Sequence, residues 1–69
     1  MWPGRAEPLS AGELAVLRLL AQRRSNQEIV ATLGVAWQMV ALRTNNIYRK
    51  LGVAHRQEAV ERAIALGLL

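Results

Sequence analysis

The sequence predicts an all-α fold of four short helices, and three observations support this prediction. Apolar residues recur at spacings of three, four and seven along most of the chain, which is the periodicity of helices with one buried face. Two Ser-x-x-Glu capping boxes, at Ser10 and Ser25, indicate helix starts. Glycines follow the apolar runs where helices are expected to end, at Gly34, Gly52 and Gly67.

The first helix is predicted to begin after Ser10, whose hydroxyl oxygen is expected to accept the backbone N–H of Glu13. Leu9 stands at the position that packs over such a helix start. The C-terminal end, at residues 22–24, contains no glycine, so the sequence signals it poorly.

A second helix is predicted over residues 26–33, with a capping box at Ser25 and with Gly34 as the left-handed residue at its end. Only two or three residues separate it from a longer third helix, predicted over about 36–51 and ended by Gly52. A short helix, a tight turn with glycine and a longer helix together form a helix-turn-helix.

A fourth helix is predicted over residues 56–66, with His55 at its N-cap and Glu58 three residues later. Its predicted apolar stripe consists of Ala59, Val60, Ala63 and Ile64. Residues 1–8 contain both prolines and are predicted to be a flexible arm or the remnant of a linker, which leaves 9–69 as one folded domain.

The third helix has two different faces. Val40, Ile47 and Leu51 fall at spacings of seven and four, so this side is predicted to be buried. The opposite side, called the outer face below, consists of Gln38, Ala41, Leu42, Asn45 and Arg49. Arg43, Thr44 and Lys50 flank the outer face. This is the layout of a helix that lies in the major groove of DNA, although an ordinary solvated helix has the same pattern.

The charges are distributed unevenly along the chain. The formal net charge is +4, and all five acidic residues precede residue 29 or follow residue 57. The charged residues of the segment between them are all cations, namely Arg43, Arg49, Lys50 and Arg56. A basic stripe without acidic residues is typical of a surface that binds nucleic acid, although an arginine-rich composition also produces it by chance.

The composition excludes several classes of protein. The 69 residues contain no cysteine and a single histidine, so neither a disulfide framework nor a metal site is expected. No apolar run reaches the roughly 20 residues that span a membrane, and no signal-peptide pattern is present, so we expect a cytoplasmic protein. The sequence suggests no nucleophile–base pair and no glycine-rich phosphate loop, so neither a catalytic residue nor a cofactor is expected.

Four segments carry a family resemblance. They are Leu9-Ser10-x-x-Glu13-x-x-Val16-Leu17-x-Leu19, Ser25-Asn26-x-Glu28-Ile29, Asn46-Ile47-Tyr48-x-Lys50-Leu51-Gly52-Val53, and Ala59-Val60 followed by Leu66-Gly67-Leu68-Leu69. Together they resemble the LuxR/FixJ-type C-terminal DNA-binding domain, and they are most similar to its large MalT-like members. Because four motifs occur in the family's order and spacing, the resemblance is specific.

The resemblance implies a helix-turn-helix domain of a bacterial transcription regulator that binds double-stranded DNA sequence-specifically through its third helix. It also implies a homodimer formed through the last helix, with RNA polymerase as a further candidate partner. The predicted DNA-binding residues are Ser25, Asn26, Gln38, Ala41, Leu42, Arg43, Asn45, Arg49 and Lys50. The predicted dimerisation residues are Ala63, Ala65, Leu68 and Leu69.

General chemistry supports several of these roles. The Asn45 amide can pair with an adenine edge, and the Leu42 side chain can pack on a thymine methyl group. Arg43, Arg49 and Lys50 carry charges that can neutralise phosphates, which position a protein on DNA without specifying sequence.

The start of the third helix departs from the family's usual pattern. Ala36, Met39 and Ala41 stand where the family usually has Ser, Thr and Lys. Loss of a serine N-cap typically costs about 1 kcal/mol, and loss of a lysine removes a phosphate contact. Three hypotheses follow: an unusual site with more A·T contact, weak binding that relies on dimerisation or a larger parent protein, or a protein-interaction module. In the third hypothesis an apolar patch of Trp37, Met39 and Leu42 binds the partner. Trp37 itself is expected to be core or partly buried filler, with a wedge against the DNA sugar edge or a protein contact as the alternatives.

Overall fold

The computed structural model describes residues 8–69, so nearly all of the predicted N-terminal arm lies outside the described residues. Its elements are α1 (Ala11–Ala21), α2 (Asn26–Leu33), α3 (Trp37–Leu51) and α4 (Arg56–Ala65). The prediction of four helices without a strand is confirmed for this part of the chain. The bounds of α2 agree with the prediction, α3 begins one residue later, and α4 ends one residue earlier.

Both predicted capping boxes are present. The Ser10 hydroxyl oxygen accepts the backbone N–H of Glu13 at 3.2 Å, and Glu13 Oε1 accepts the N–H of Ser10 at 2.9 Å. At the start of α2 the Ser25 hydroxyl oxygen accepts the N–H of Glu28 at 3.1 Å, and Glu28 Oε1 accepts the N–H of Ser25 at 2.8 Å. These bonds satisfy N–H groups that have no partner within the helix, which is why both helices begin at these serines.

The C-terminal end of α1 is closed by Arg23 in the left-handed conformation, with φ of 61°. The N–H of Arg23 donates to the Leu20 carbonyl at 3.0 Å, and the N–H of Arg24 donates to the Leu19 carbonyl at 3.1 Å. This bond pair is a Schellman motif, which usually places glycine at the left-handed residue. At Gly34, Gly52 and Gly67 the left-handed residue is the predicted glycine.

The core is formed mainly by one face of α1 and one face of α3, with smaller contributions from α2 and α4. α1 packs against α3 and α4, and α3 also packs against α2 and α4. The buried apolar residues are Leu9, Val16, Leu17, Leu20, Ile29, Val40, Ile47, Leu51, Ala59 and Ala63. Because Val40, Ile47 and Leu51 are all buried, the predicted inner face of α3 is confirmed.

The contribution of α4 to the core differs from the prediction at one residue. Ile64 was expected on the apolar stripe of α4, but 61% of its surface is exposed. The buried residues of α4 are Ala59 and Ala63, which are four residues apart and define a narrow face. Ile64 lies about 100° around the helix from Ala63, so its side chain leaves the core.

No helix within residues 8–69 is long and apolar enough to cross a membrane.

Candidate nucleic-acid interface

The α2–turn–α3 unit holds α3 by its inner face. α2 ends at Gly34, which has φ of 65°, and residues 35–36 lead directly into α3. Ile29 of α2 is buried in the same core as Val40 and Ile47 of α3. Because the turn is short and the inner face is buried, the orientation of α3 is determined and its opposite side faces solvent.

The outer face of α3 lies on that solvent side. All five of its residues are exposed, as predicted: Gln38, Ala41, Leu42, Asn45 and Arg49. Among residues 8–69, no hydrogen bond engages the side-chain amide of Gln38 or Asn45. Two amides and a leucine are therefore presented together on a rigid helix, available to a ligand.

The first turn of α3 is apolar and weakly capped. Its N-cap is Ala36, whose backbone is extended as an N-cap requires, but no side-chain hydrogen bond closes the turn. Trp37, Met39 and Leu42 are the exposed large apolar residues of this end of the helix. Trp37 is expected from the sequence to be core or partly buried filler, but 52% of its surface is exposed. The apolar patch of the protein-interaction hypothesis is therefore exposed.

Arg43, which flanks the outer face, lies against Gly12 of α1. A Cβ atom built on Gly12 would lie 2.9 Å from Arg43 Cζ and 3.1 Å from its Nε, so the guanidinium occupies the space that a glycine leaves open. Arg43 is half-buried in this position. Its predicted phosphate contact therefore has to be made from the edge of the interface, next to the N-terminal turn of α1.

Arg49 is an exposed cation on the outer face of α3. Its guanidinium donates to the side-chain oxygen of Asn46 at 3.2 Å, within the same helix. Arg49 follows Asn45 by four residues on the same side of α3, and it lies a little more than three turns from Trp37, where the apolar patch starts. Arg49 thus adds a positive charge to the same exposed face as Leu42 and Asn45.

Lys50 is a correction to the predicted DNA-binding residues. Its Nζ lies 2.8 Å from Glu13 Oε1 and 3.3 Å from the carbonyl oxygen of Pro8, and both side chains of the ion pair are buried. A phosphate contact would require this pair to break and would leave the Glu13 carboxylate buried without its cation. The structure therefore places Lys50 in the packing of α3 on α1 and not on the exposed outer face.

Arg56, the last cation of the acid-free segment, also has a structural role. Its guanidinium donates to the backbone carbonyl oxygens of Leu20 and Arg24 at the C-terminal end of α1. A positive charge stabilises this end because the last carbonyl groups of a helix carry partial negative charge. Burial raises the pKa of the nearby Tyr48, and the positive charge of Arg56 opposes this effect. Lys50 and Arg56 of that segment are thus engaged within the fold, whereas Arg43 lies at the edge of the outer face and Arg49 lies on it.

The start of α2 presents Ser25 and Asn26 to solvent, next to the exposed side chains of Arg23 and Arg24. Hydrogen bonds from Ser25, first through its backbone N–H, lower the pKa of Glu28. The Glu28 carboxylate thus occupies the N–H of Ser25, and a phosphate at this end would use the Ser25 hydroxyl proton and the two arginines. The arginines add a cationic cluster to the two residues that were predicted here.

The predicted dimerisation residues divide into two groups. Ala63 was predicted at the dimer surface, but it lies in the core with 0% of its surface exposed, so it cannot contact a second copy. Leu68 is half-buried and packs against the core, whereas Ala65 and Leu69 are exposed. Ile64 was not predicted at this surface and is its most exposed apolar side chain.

Comparisons with known proteins agree with this geometry. The family described as "GerE: Bacterial regulatory proteins, luxR family" matches residues 7–63. The chain is 46% identical over 59 residues to the HTH-type transcriptional regulator MalT of Serratia proteamaculans (strain 568). That alignment covers 86% of this chain and 6% of the relative, so the chain spans a small part of that protein. The crystal structure of the response regulator ChrA of a heme-sensing two-component system has a TM-score of 0.89 and 33% identity, over 96% of this chain and 33% of that one.

Proposed function

Since the chain belongs to the luxR family of bacterial regulatory proteins, we propose that α3 lies in the major groove of double-stranded DNA with its outer face against the base edges. Membership confirms the resemblance carried by the four sequence segments. It also confirms the prediction of a DNA-binding domain of a transcription regulator rather than an enzyme.

The observation that carries the proposal is the orientation of α3. One side of this helix is buried by the core, and the other presents Gln38, Leu42 and Asn45 with Arg49 at their edge. The major groove admits an α-helix, and it displays the hydrogen-bonding groups and methyl groups that such side chains distinguish. Arg23, Arg24 and Ser25 at the start of α2 add contacts to the phosphate backbone, which fix the register of the helix.

The proposed roles follow from the chemistry of each side chain. Asn45 pairs with the N6 and N7 atoms of an adenine, and Gln38 has the same capacity about two turns earlier on the same face of α3. Ala41 brings the backbone of α3 close to the bases because its side chain is short. Arg43 and Arg49 neutralise phosphates on the two sides of the groove.

We also propose that two copies bind a palindromic site through α4. Ile64, Ala65 and Leu69 form an exposed surface of apolar residues at the end of this helix. A dimer through this surface would place two α3 helices about one DNA turn, roughly 34 Å, apart. A domain that stays monomeric on a palindromic duplex at all concentrations would contradict this part. Contact with RNA polymerase remains a prediction of the resemblance alone.

The test is a titration of a fluorescently labelled random-sequence duplex with the domain, followed by anisotropy at about 50 and 200 mM salt. Binding should weaken at least about tenfold over this range, because neutralised phosphates release counterions. Arg49→Ala should reduce the salt slope by about one unit. Arg18→Ala removes the same charge from an exposed position on α1 and serves as the matched control, with little expected effect.

Absence of binding at the lower salt, with helicity intact by circular dichroism, would contradict the proposal. It would support the protein-interaction module instead. In that case Trp37→Ala should abolish capture of the partner while Arg49→Ala leaves it intact, and capture should not depend steeply on salt.

A further inference from the structure

We propose that Leu42 reads the C5 methyl group of a pyrimidine, so that the domain recognises thymine and 5-methylcytosine through the methyl group that they share. This inference rests on the proposed function, because it assigns a chemical class of base to the face of α3 that enters the groove. It goes further by making the methyl group, rather than the identity of the base, the recognised feature.

The first argument is the state of Leu42 in the free domain. Its side chain is 55% exposed, in the middle of the outer face and on a helix held rigidly from behind. An exposed leucine gains free energy when an apolar surface covers it, at about 0.8 kcal/mol for each CH₂ or methyl group buried. Ala41 beside it is small, so α3 can approach the base edge closely.

The second argument is the chemistry of the groove. Among the groups that the four bases display in the major groove, the C5 methyl of thymine is the bulky apolar one. Cytosine has only a hydrogen at C5, and the nitrogen and oxygen groups donate or accept hydrogen bonds. Methylation of cytosine at C5 places the same group at the same position of the pyrimidine ring. A leucine makes no hydrogen bond that would distinguish the O4 of thymine from the N4 amino group of cytosine.

The third argument is the placement of the cations of α3. The commonest specific contact in the major groove is a bidentate Arg or Lys on guanine. Residues 37–42 contain no cation, Arg43 covers Gly12, and Lys50 is paired with Glu13. The leading half of α3 therefore has no cation for guanine, and the base contacts open to it are the hydrogen bonds of Gln38 and the apolar contact of Leu42.

The experiment selects binding sites from random duplexes prepared in three chemical forms. The first form contains ordinary bases, the second has uracil in place of thymine, and the third has uracil for thymine together with 5-methylcytosine for cytosine. If the methyl group is recognised, the selected base follows it: thymine in the first form, no preference in the second, and cytosine in the third. In a selected duplex, uracil for that thymine should weaken binding about 3- to 5-fold.

Leu42→Ala is the decisive variant, and because Leu42 is largely exposed the domain should fold unchanged. This variant should lose the preference in every form, whereas Arg18→Ala, on the exposed side of α1, should keep it. Selection of the same base in all three forms would overturn the inference. Salt-dependent binding without any preference at this position would overturn it and leave the proposed function standing. Loss of all DNA binding would overturn both.

Discussion

Lys50 Nζ on α3 lies 2.8 Å from Glu13 Oε1 on α1, and this ion pair joins two positions that are 37 residues apart in the chain. The same oxygen of Glu13 accepts the backbone N–H of Ser10, and Lys50 also donates to the Pro8 carbonyl. The start of α1 and the end of α3 are thus joined through one carboxylate. Because the outer face belongs to α3, this contact helps to hold the side chains that we propose read DNA in position.

Removal of one partner of this ion pair should destabilise the domain. Lys50→Met leaves the Glu13 carboxylate without its cation, and Glu13→Gln leaves the ammonium without its anion. We expect each to lower the free energy of unfolding by about 2 to 3 kcal/mol, less than for a deeply buried pair because a small part of both side chains is exposed. Urea unfolding followed by circular dichroism measures the loss.

The double variant Glu13→Gln/Lys50→Met provides the control for this prediction. If the two groups interact as the structure shows, it should be more stable than the sum of the single losses predicts, by at least about 1 kcal/mol. Strictly additive losses would contradict a direct ion pair.

Acid should destabilise the domain partly through Glu13. Burial acts to raise the pKa of Glu13, but the hydrogen bonds from Lys50 and Ser10 and the charge of Lys50 together lower it below its usual value of 4.5. The folded state therefore binds this proton more weakly than the unfolded state does. Its contribution to stability is complete above about pH 4.5 and is lost as the pH falls through the folded pKa.

Thermal unfolding between neutral and acidic pH checks this dependence. Glu13→Gln should flatten the decline of the melting temperature below about pH 4.5. Some decline should persist in the variant, because Glu28 also has a lowered pKa. An unchanged profile in Glu13→Gln would show that this carboxylate is not responsible.

Glycine at position 23 should stabilise the domain. Arg23 adopts φ of 61°, a conformation that costs a residue with a Cβ atom roughly 1 kcal/mol relative to glycine. Arg23→Gly should therefore be more stable than Arg23→Ala by about 1 kcal/mol, measured by urea unfolding. Both variants remove the same charge, so their difference isolates the backbone conformation. An alanine variant as stable as the glycine variant would contradict this explanation.

A serine at position 36 should restore the missing cap of α3. Ala36 already has the extended backbone of an N-cap, and it lacks only a side-chain oxygen for the free N–H groups of the first turn. We expect Ala36→Ser to raise the free energy of unfolding by about 1 kcal/mol. Ala31→Ser introduces the same hydroxyl inside α2, where it should slightly lower stability. Equal effects of the two substitutions would show that capping is not the cause.

The sequence by itself determined the helices, their starts and most of their ends. The bonds of Ser10 with Glu13 and of Ser25 with Glu28 span three residues, so their signals are complete within a short window. The two faces of α3 were equally readable, because the periodicity of a helix decides them. The order of four such motifs was enough to identify the family.

The tertiary structure alone decided which charged and apolar groups remain available at the surface. The charge of Lys50 and its place on α3 suggest a DNA contact, yet its ammonium group pairs with Glu13. Arg56 likewise donates to carbonyl groups more than 30 residues away in the chain. Lys50 follows the buried Ile47 by three residues, a spacing that indicated its closeness to the core without indicating its partner. Ala63 is buried and Ile64 exposed because α4 packs by a narrow face. These outcomes depend on which helices pack against one another in the folded domain. A local pattern of residues does not specify contacts between segments that are more than 30 residues apart in the chain.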